Sequence, residues 1–116
     1  MINKTAIEYL KGLDNGLGGV LAELIDVFFQ HTPGLLSKLQ AHVNEWQAKE
    51  VEQVAHRLKG SSLNLGAEEV AKHFGKLEEL GRNDAPSEAK TYLELALKEF
   101  EIVEQELLEL KKEVSS

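Results

Sequence analysis

The sequence contains no cysteine among its 116 residues. This absence excludes disulfide bridges, thiolate nucleophiles and zinc sites with cysteine ligands, and it fits a reducing cytosol. The chain also lacks any run of about 20 apolar residues, and its N-terminal segment lacks the apolar core of a signal peptide. We therefore expect a cytoplasmic protein that does not enter a membrane.

Positive charge is scarce, because 13 lysines and arginines stand against 20 aspartates and glutamates, for a net charge of -7. Nucleic acid and anionic lipid surfaces attract proteins of the opposite charge, so neither is an expected partner. The hydrophobic share of 42% is ordinary for a globular protein and argues against wholesale disorder. A chain of this length is about one domain, and we expect a single monomeric domain over residues 1–116.

Strand patterns are missing, since no long stretch alternates β-branched and polar residues, whereas apolar residues recur at helical spacing almost throughout. The predicted fold class is therefore all-α. Short connections between successive amphipathic helices favour antiparallel neighbours. We expect an antiparallel up-and-down four-helix bundle with an additional short N-terminal helix at about Thr5 to Lys11.

Local signals set the expected helix boundaries. Thr32 as an N-cap and Pro33 at a first helical position predict that the chain stops and restarts at His31-Thr32-Pro33. Before this break, one apolar stripe is expected to be buried: Leu17, Val20, Leu21, Leu24, Val27 and Phe28. Later helices are predicted over about 49–65, 67–80 and 86–112. The segment GRNDAPSE at 81–88 is predicted to be a loop because it is dense in turn-forming residues.

The helix predicted over about 49–65 carries polar and small residues that folding does not require. At about 100° per residue, His56 falls roughly 150° from the centre of the apolar stripe, so it should face solvent. Gly60 and Leu63 lie on the same outward side, with Lys59 at its flank. A glycine inside a helix costs about 1 kcal/mol relative to alanine. The missing side chain therefore suggests that another molecule approaches His56 closely.

The next helix returns antiparallel and brings its middle level with His56. Glu78 lies on the flank of that helix, where it can accept a hydrogen bond from one imidazole nitrogen and leave the other as a nucleophile. An ordinary exposed glutamate is an equally open interpretation. Ala71, Gly75 and Arg82 continue along the same flank and offer a low surface followed by a positive charge.

The run AHRLKGSSLNLGAEEVAKHFGKLEELGR at residues 55–82 resembles the signature of the histidine-containing phosphotransfer (HPt) domain family. Its members carry a phosphorylatable histidine followed by LKGSS, a small turn containing LGA and a helix ending in LE..GR, and all of these elements are present. The preceding F...TP..L..L pattern extends the resemblance over most of the chain. Ser61 and Ser62 match the family's serine pair. We expect Ser62 to be a core residue bonded to a helical carbonyl, and we assign no role to Ser61.

The resemblance implies that His56 accepts and donates the phosphoryl group through Nε2. It also implies that Lys59 stabilises the phosphoryl oxygens and that Glu78 orients the ring. A partner is expected to dock on the strip around His56, with these residues at the contact: Gly60, Leu63, Ala71, Gly75 and Arg82.

The function implied is that of a carrier that passes a phosphoryl group between receiver-domain aspartates in a multistep two-component phosphorelay. The implied partners are response-regulator receiver domains and a hybrid histidine kinase. We expect no cofactor of the chain's own, and Mg²⁺ is expected on the partner receiver domain. GLGG at 16–19 follows no strand and precedes no suitably spaced lysine, so we expect no ATP site and no kinase activity.

The residues themselves allow two alternatives to be weighed. A di-metal helical bundle requires a glutamate three residues before a histidine ligand. The positions three residues before the four histidines are 28, 39, 53 and 70, and they hold Phe, Leu, Gln and Val, which argues against such a site. A bundle that docks receiver domains without accepting phosphate would use the same surface. Only phosphorylation of His56 distinguishes that second alternative from a carrier.

Overall fold

Four long helices account for most of the chain in the structure, a computed structural model that describes residues 2, 5, 8, 9, 11, 12 and 20–115. The helices are α1 (Val20–Glu45), α2 (Ala48–Asn64), α3 (Glu68–Arg82) and α4 (Ala89–Ser115), and a 3₁₀ turn at Pro86–Glu88 precedes α4. No strand occurs among these residues, so the predicted all-α class is confirmed. Residues 6, 7 and 10 of the short helix predicted at Thr5 to Lys11 lie outside the described residues, so this helix stays a prediction.

The helices form a ring in which α1 packs on α2, α2 on α3, α3 on α4, and α4 returns to α1. The early part of α1 faces the later part of α4, since the rings of Phe28 and Phe100 stack with centroids 5.6 Å apart and Asp26 pairs with Lys111. Helices α2 and α3 also run antiparallel. His56 pairs with Glu78, and Glu52, which lies earlier on α2, pairs with Arg82, which lies later on α3.

Buried apolar side chains recur every three or four residues along each helix and meet in one core. The most completely buried of them come from all four helices: Leu21, Ile25, Leu39, Val51, Leu58, Val70, Phe74, Leu77, Val103 and Leu107. On α2 this stripe leaves His56 on the outward side. None of the described helices is both long enough and apolar enough to cross a membrane.

Helix α1 continues through Pro33, which corrects the predicted stop and restart at His31-Thr32-Pro33. Thr32 is buried, and its Oγ1 donates a hydrogen bond to the carbonyl oxygen of Phe28 at 2.7 Å. This bond satisfies the hydroxyl inside a continuing helix instead of at a new N-cap. An interior proline costs about 3 kcal/mol. The buried stripe runs past the proline from Phe28 to Leu35 and Leu39, so core packing offsets that cost.

The buried face of α1 also differs from the predicted stripe. Leu24 and Val27 are 40% and 51% exposed, and Ile25 is buried between them. Leu17 lies outside the described residues. The orientation of a helix about its axis is set by all the side chains that it buries. Because α1 continues beyond the expected break, Thr32 and the later core residues determine which face is inward, and Leu24 and Val27 are left outside.

Helices α1, α2 and α3 end with the same backbone arrangement. A residue near each end has a positive φ: 47° at Trp46, 72° at Gly66 and 50° at Asp84. The amide of the following residue then donates to a carbonyl five residues earlier, which satisfies the end of the helix. Glycine adopts this conformation easily, but tryptophan and aspartate do not. The Nε1 of Trp46 donates to Oδ1 of Asp84 at 2.7 Å, so the two less favourable turns are bonded to each other.

The loop predicted at 81–88 is shorter than expected, because α3 includes Gly81 and the 3₁₀ turn occupies Pro86–Glu88. Gly81 packs directly on the backbone of α2. A Cβ at this position would lie 2.7 Å from the carbonyl oxygen of Ala48 and 2.7 Å from the amide nitrogen of Glu52. These backbone atoms belong to a packed helix and cannot move aside separately, so the approach of α3 to α2 requires glycine here.

We expect Gly81→Ala to lower the free energy of unfolding by about 1–3 kcal/mol, because the added methyl group must push α2 and α3 apart. Gly34→Ala in α1 is the control, since a Cβ there meets nothing within 4 Å. That change should raise the free energy of unfolding by about 0.5–1 kcal/mol. Urea denaturation measures both. A Gly81→Ala variant as stable as the wild type would contradict the close packing at this contact.

Candidate functional site

The imidazole of His56 stands on the outward face of α2 and is accessible to another protein, with 66% of the side chain exposed. Its Nδ1 lies 2.8 Å from Oε2 of Glu78, which reaches across from α3. The structure therefore brings together the two residues that helical spacing placed level with each other. The other ring nitrogen, Nε2, takes no part in this contact.

Glu78 is buried, with 6% of its surface exposed, whereas the sequence placed it on an open flank of its helix. Three side chains surround its carboxylate. Oε1 lies 2.7 Å from Nζ of Lys59. Oε2 lies 2.8 Å from Nδ1 of His56 and 3.2 Å from Nη2 of Arg82. A buried carboxylate is tolerated when donors and opposite charge compensate it in this way.

The balance between burial and these partners keeps Glu78 ionised. Burial alone raises the pKa of a carboxyl group, but hydrogen bonds from Lys59 and His56, together with their charges, outweigh it and hold the pKa of Glu78 below its ordinary value of 4.5. An ionised carboxylate only accepts hydrogen bonds. The proton in the contact is therefore on Nδ1 of His56, and in the neutral ring the lone pair is on Nε2.

Lys59 lies about one turn after His56 on α2, and its side chain extends over α3 to reach Glu78. Gly75 makes room for it, since a Cβ at Gly75 would touch Cδ of Lys59 at 3.4 Å. The aliphatic part of Lys59 thus packs on the backbone of Gly75, while its ammonium group contacts the carboxylate of Glu78. Gly75 was predicted as a docking residue, and the structure places it against this lysine.

The remaining predicted docking residues differ in their accessibility. Gly60 is exposed, and a Cβ there would meet nothing within 4 Å, so the fold itself does not require glycine at this position. Leu63 is 50% exposed. Ala71 is largely buried, and its place at a docking contact stays a prediction. It forms part of the lining of a shallow groove between α2 and α3, together with Lys59, Leu63, Glu68, Lys72 and Gly75.

Arg82 joins the charged group at His56, although the sequence indicated only a positive charge on the flank. Its Nη2 contacts Glu78, and its Nε donates to Oε2 of Glu52 at 3.1 Å. Glu52 was not predicted. The signal was available in the register, because the antiparallel pairing of His56 with Glu78 also pairs the residue four before His56 with the residue four after Glu78.

A second groove lies between α1 and α2 on the other side of His56. Arg57 lines both this groove and the cleft beside His56, so the two surfaces are continuous. The exposed Leu24 and Val27 and the unassigned Ser61 also line it. Ser62 is buried and donates to a helical carbonyl at 2.8 Å, as predicted. In the part of the chain that the structure describes, no group of three histidine, aspartate or glutamate side chains is placed to hold a metal ion.

Comparison with known proteins gives two matches. The family model described as Hpt domain matches residues 23–113. The crystal structure of histidine-containing phosphotransfer protein B from Pseudomonas aeruginosa superposes with a TM-score of 0.86 over 97% of this chain and 95% of that chain, at 24% sequence identity. At this identity the structural match establishes a shared fold. No curated protein matched the chain.

Glu78→Gln should lower the free energy of unfolding at neutral pH by about 1–3 kcal/mol, the range for a buried charge-assisted hydrogen bond. The folded pKa of Glu78 lies below its ordinary value of 4.5 in the unfolded chain, so at and below about that pH the unfolded state binds more protons. The contribution of Glu78 is therefore fully present above that pH and is lost as the pH falls through the folded pKa.

Urea unfolding of wild type and variant between pH 3 and 7 measures this difference. Glu79→Gln is the control, because Glu79 is exposed and makes only a 3.7 Å contact with Lys76 on the same helix. The Glu79 variant should differ little from the wild type at any pH. A Glu78 effect of constant size down to pH 3 would mean that its ionised form does not stabilise the fold.

Proposed function

Because this chain belongs to the Hpt domain family and is a histidine phosphotransfer protein of a phosphorelay, we propose that His56 carries the phosphoryl group. One observation supports this choice above the others: His56 has an exposed ring whose Nδ1 is bonded to a buried, ionised carboxylate. Hpt proteins are phosphocarriers and not kinases. We further propose that the chain has no ATP site and acts as a cytoplasmic monomer.

The proposed transfer forms one bond and breaks one, and no proton needs to move. The Nε2 lone pair of His56 attacks the phosphorus of an aspartyl phosphate, the P–O bond breaks, and the aspartate carboxylate leaves. The ring enters neutral with its proton on Nδ1 and ends as a positively charged phosphoryl-imidazolium. Glu78 accepts a hydrogen bond from Nδ1–H and offsets the new charge. In the return step a carboxylate oxygen of a receiver aspartate attacks the phosphorus and forms the new P–O bond, the N–P electron pair goes back to Nε2, and a neutral imidazole leaves.

Little else is required of this chain, since phosphoryl transfer depends mainly on position and on charge near the phosphoryl oxygens. Lys59, about one turn after His56 on the same helix, supplies that charge in our proposal. A receiver domain brings the aspartate and the Mg²⁺. The family supports a receiver domain as the partner, because Hpt domains interact with receiver domains in phosphorelays.

Docking is proposed on the exposed strip that flanks His56. Gly60 and Leu63 lie on one side, and Leu24 and Val27 lie on the other, beyond Arg57. Exposed apolar side chains around a small residue suit the core of a protein interface. A protein that docks receivers without accepting phosphate would use the same strip, so a phosphate assay has to separate the two functions.

We expect wild-type protein to acquire acid-labile phosphate when it is mixed with a phosphorylated receiver domain, and we expect His56→Gln to acquire none. His42→Gln is the control, because His42 lies near the far end of α1 and bonds Gln47. It should be labelled like the wild type. Label on His56→Gln would refute the assignment, and a wild type that binds the receiver but stays unlabelled would support the docking alternative.

Gly60→Gln should fold normally, because the space at Gly60 is open. It should slow transfer from a phosphorylated receiver by about tenfold, equivalent to about 1.4 kcal/mol, because the added side chain keeps the receiver from His56. Labelling by phosphoramidate, a much smaller donor, should change by less than about twofold. Rapid-quench kinetics with both donors test this. Equal rates with the receiver would contradict the close approach.

A further inference from the structure

Lys59 is already bonded before any phosphoryl group arrives. Its Nζ lies 2.7 Å from Oε1 of Glu78, and Glu78 is buried. Glu78 occupies the Nδ1 side of the His56 ring, whereas a phosphoryl group would occupy the Nε2 side. The contact with Glu78 holds the ammonium group of Lys59 on the Nδ1 side. Stabilising phosphoryl oxygens on the Nε2 side would draw this group away from Glu78 and weaken that contact.

The departure of Lys59 would leave a buried carboxylate short of a donor, which is unfavourable unless another cation remains. Arg82 is that cation. Its Nη2 lies 3.2 Å from Oε2 of Glu78, the oxygen that Lys59 does not contact. Its Nε is held by Glu52 at 3.1 Å, and this second contact fixes the guanidinium plane against Glu78.

We propose that Lys59 exchanges Glu78 for the phosphoryl group on His56, and that Arg82, held by Glu52, is a positioning residue that keeps Glu78 in place during the exchange. The inference rests on the proposed role of His56. Each anion keeps a cation throughout, because Lys59 moves to the phosphoryl group while Arg82 and the positively charged ring stay with Glu78. Arg82 thus acts through Glu78 and not as part of the docking surface.

Phosphoramidate labelling tests the exchange without any partner protein. Arg82→Gln should slow labelling of His56 by about fivefold or more, because Glu78 then retains Lys59. Glu52→Gln should slow it by a smaller factor, since Arg82 remains but is held less firmly. Lys76→Gln is the control: it removes one positive charge from the same helix, and Lys76 contacts Glu79. Its rate should stay within about twofold of the wild type.

A double variant separates this role from a structural one. In a Lys59→Gln background the Arg82→Gln change should alter the labelling rate by less than about twofold, because no lysine is left to exchange. If Arg82 only supported the fold, its effect would be the same or larger in that background. Arg82 is 57% exposed in its side chain, so the variants should fold, and circular dichroism and urea unfolding verify it.

The position of Lys59 itself can be followed by NMR of the lysine ammonium groups at neutral pH. Phosphorylation should shift the Lys59 signal in the wild type and shift it less in Arg82→Gln, while the signal of Lys76 stays unchanged. An unmoved Lys59 signal, or wild-type labelling rates in Arg82→Gln, would overturn the exchange while leaving His56 as the carrier. A wild type that phosphoramidate does not label on His56 would overturn both proposals.

Discussion

The packing of α3 on the backbone of α2 at Gly81 is the constraint on which the site depends. With no side chain between them, the two helices meet in one register, and this register sets three pairs: Glu52 with Arg82, His56 with Glu78, and Lys59 with Gly75. A displacement of one residue along either helix would rotate the partners by about 100°. The geometry around His56 is therefore a consequence of helix packing more than of any motif.

The charges at the site are arranged unevenly with respect to solvent. The carboxylate of Glu78 is buried, whereas the side chains of His56, Arg82 and Lys59 are at least partly exposed. The desolvation cost thus falls mainly on one group, and the groups that compensate it keep much of their hydration. This arrangement keeps Glu78 ionised and holds the proton of His56 on Nδ1.

Helical spacing was enough to place His56 outward and to bring Glu78 level with it, because both conclusions depend only on the period of one helix and the sense of the next. Helical spacing and local signals gave the wrong prediction where packing against neighbouring helices determines whether a helix continues and which face it buries. Pro33 is a local breaking signal, yet packing on both sides keeps α1 continuous. Leu24, which was predicted to be buried, is exposed because the continuous α1 turns a different face towards the core.

The sequence by itself determined the all-α class and the outward face of α2 with its histidine and glycine, since periodicity and glycine content are properties of a single segment. Only the tertiary structure decided that Glu78 is buried, that Lys59 is bonded to it and that Glu52 holds Arg82. Those facts depend on the distance between two helices, which is set by packing at Gly81 and is not encoded in the spacing of either helix alone.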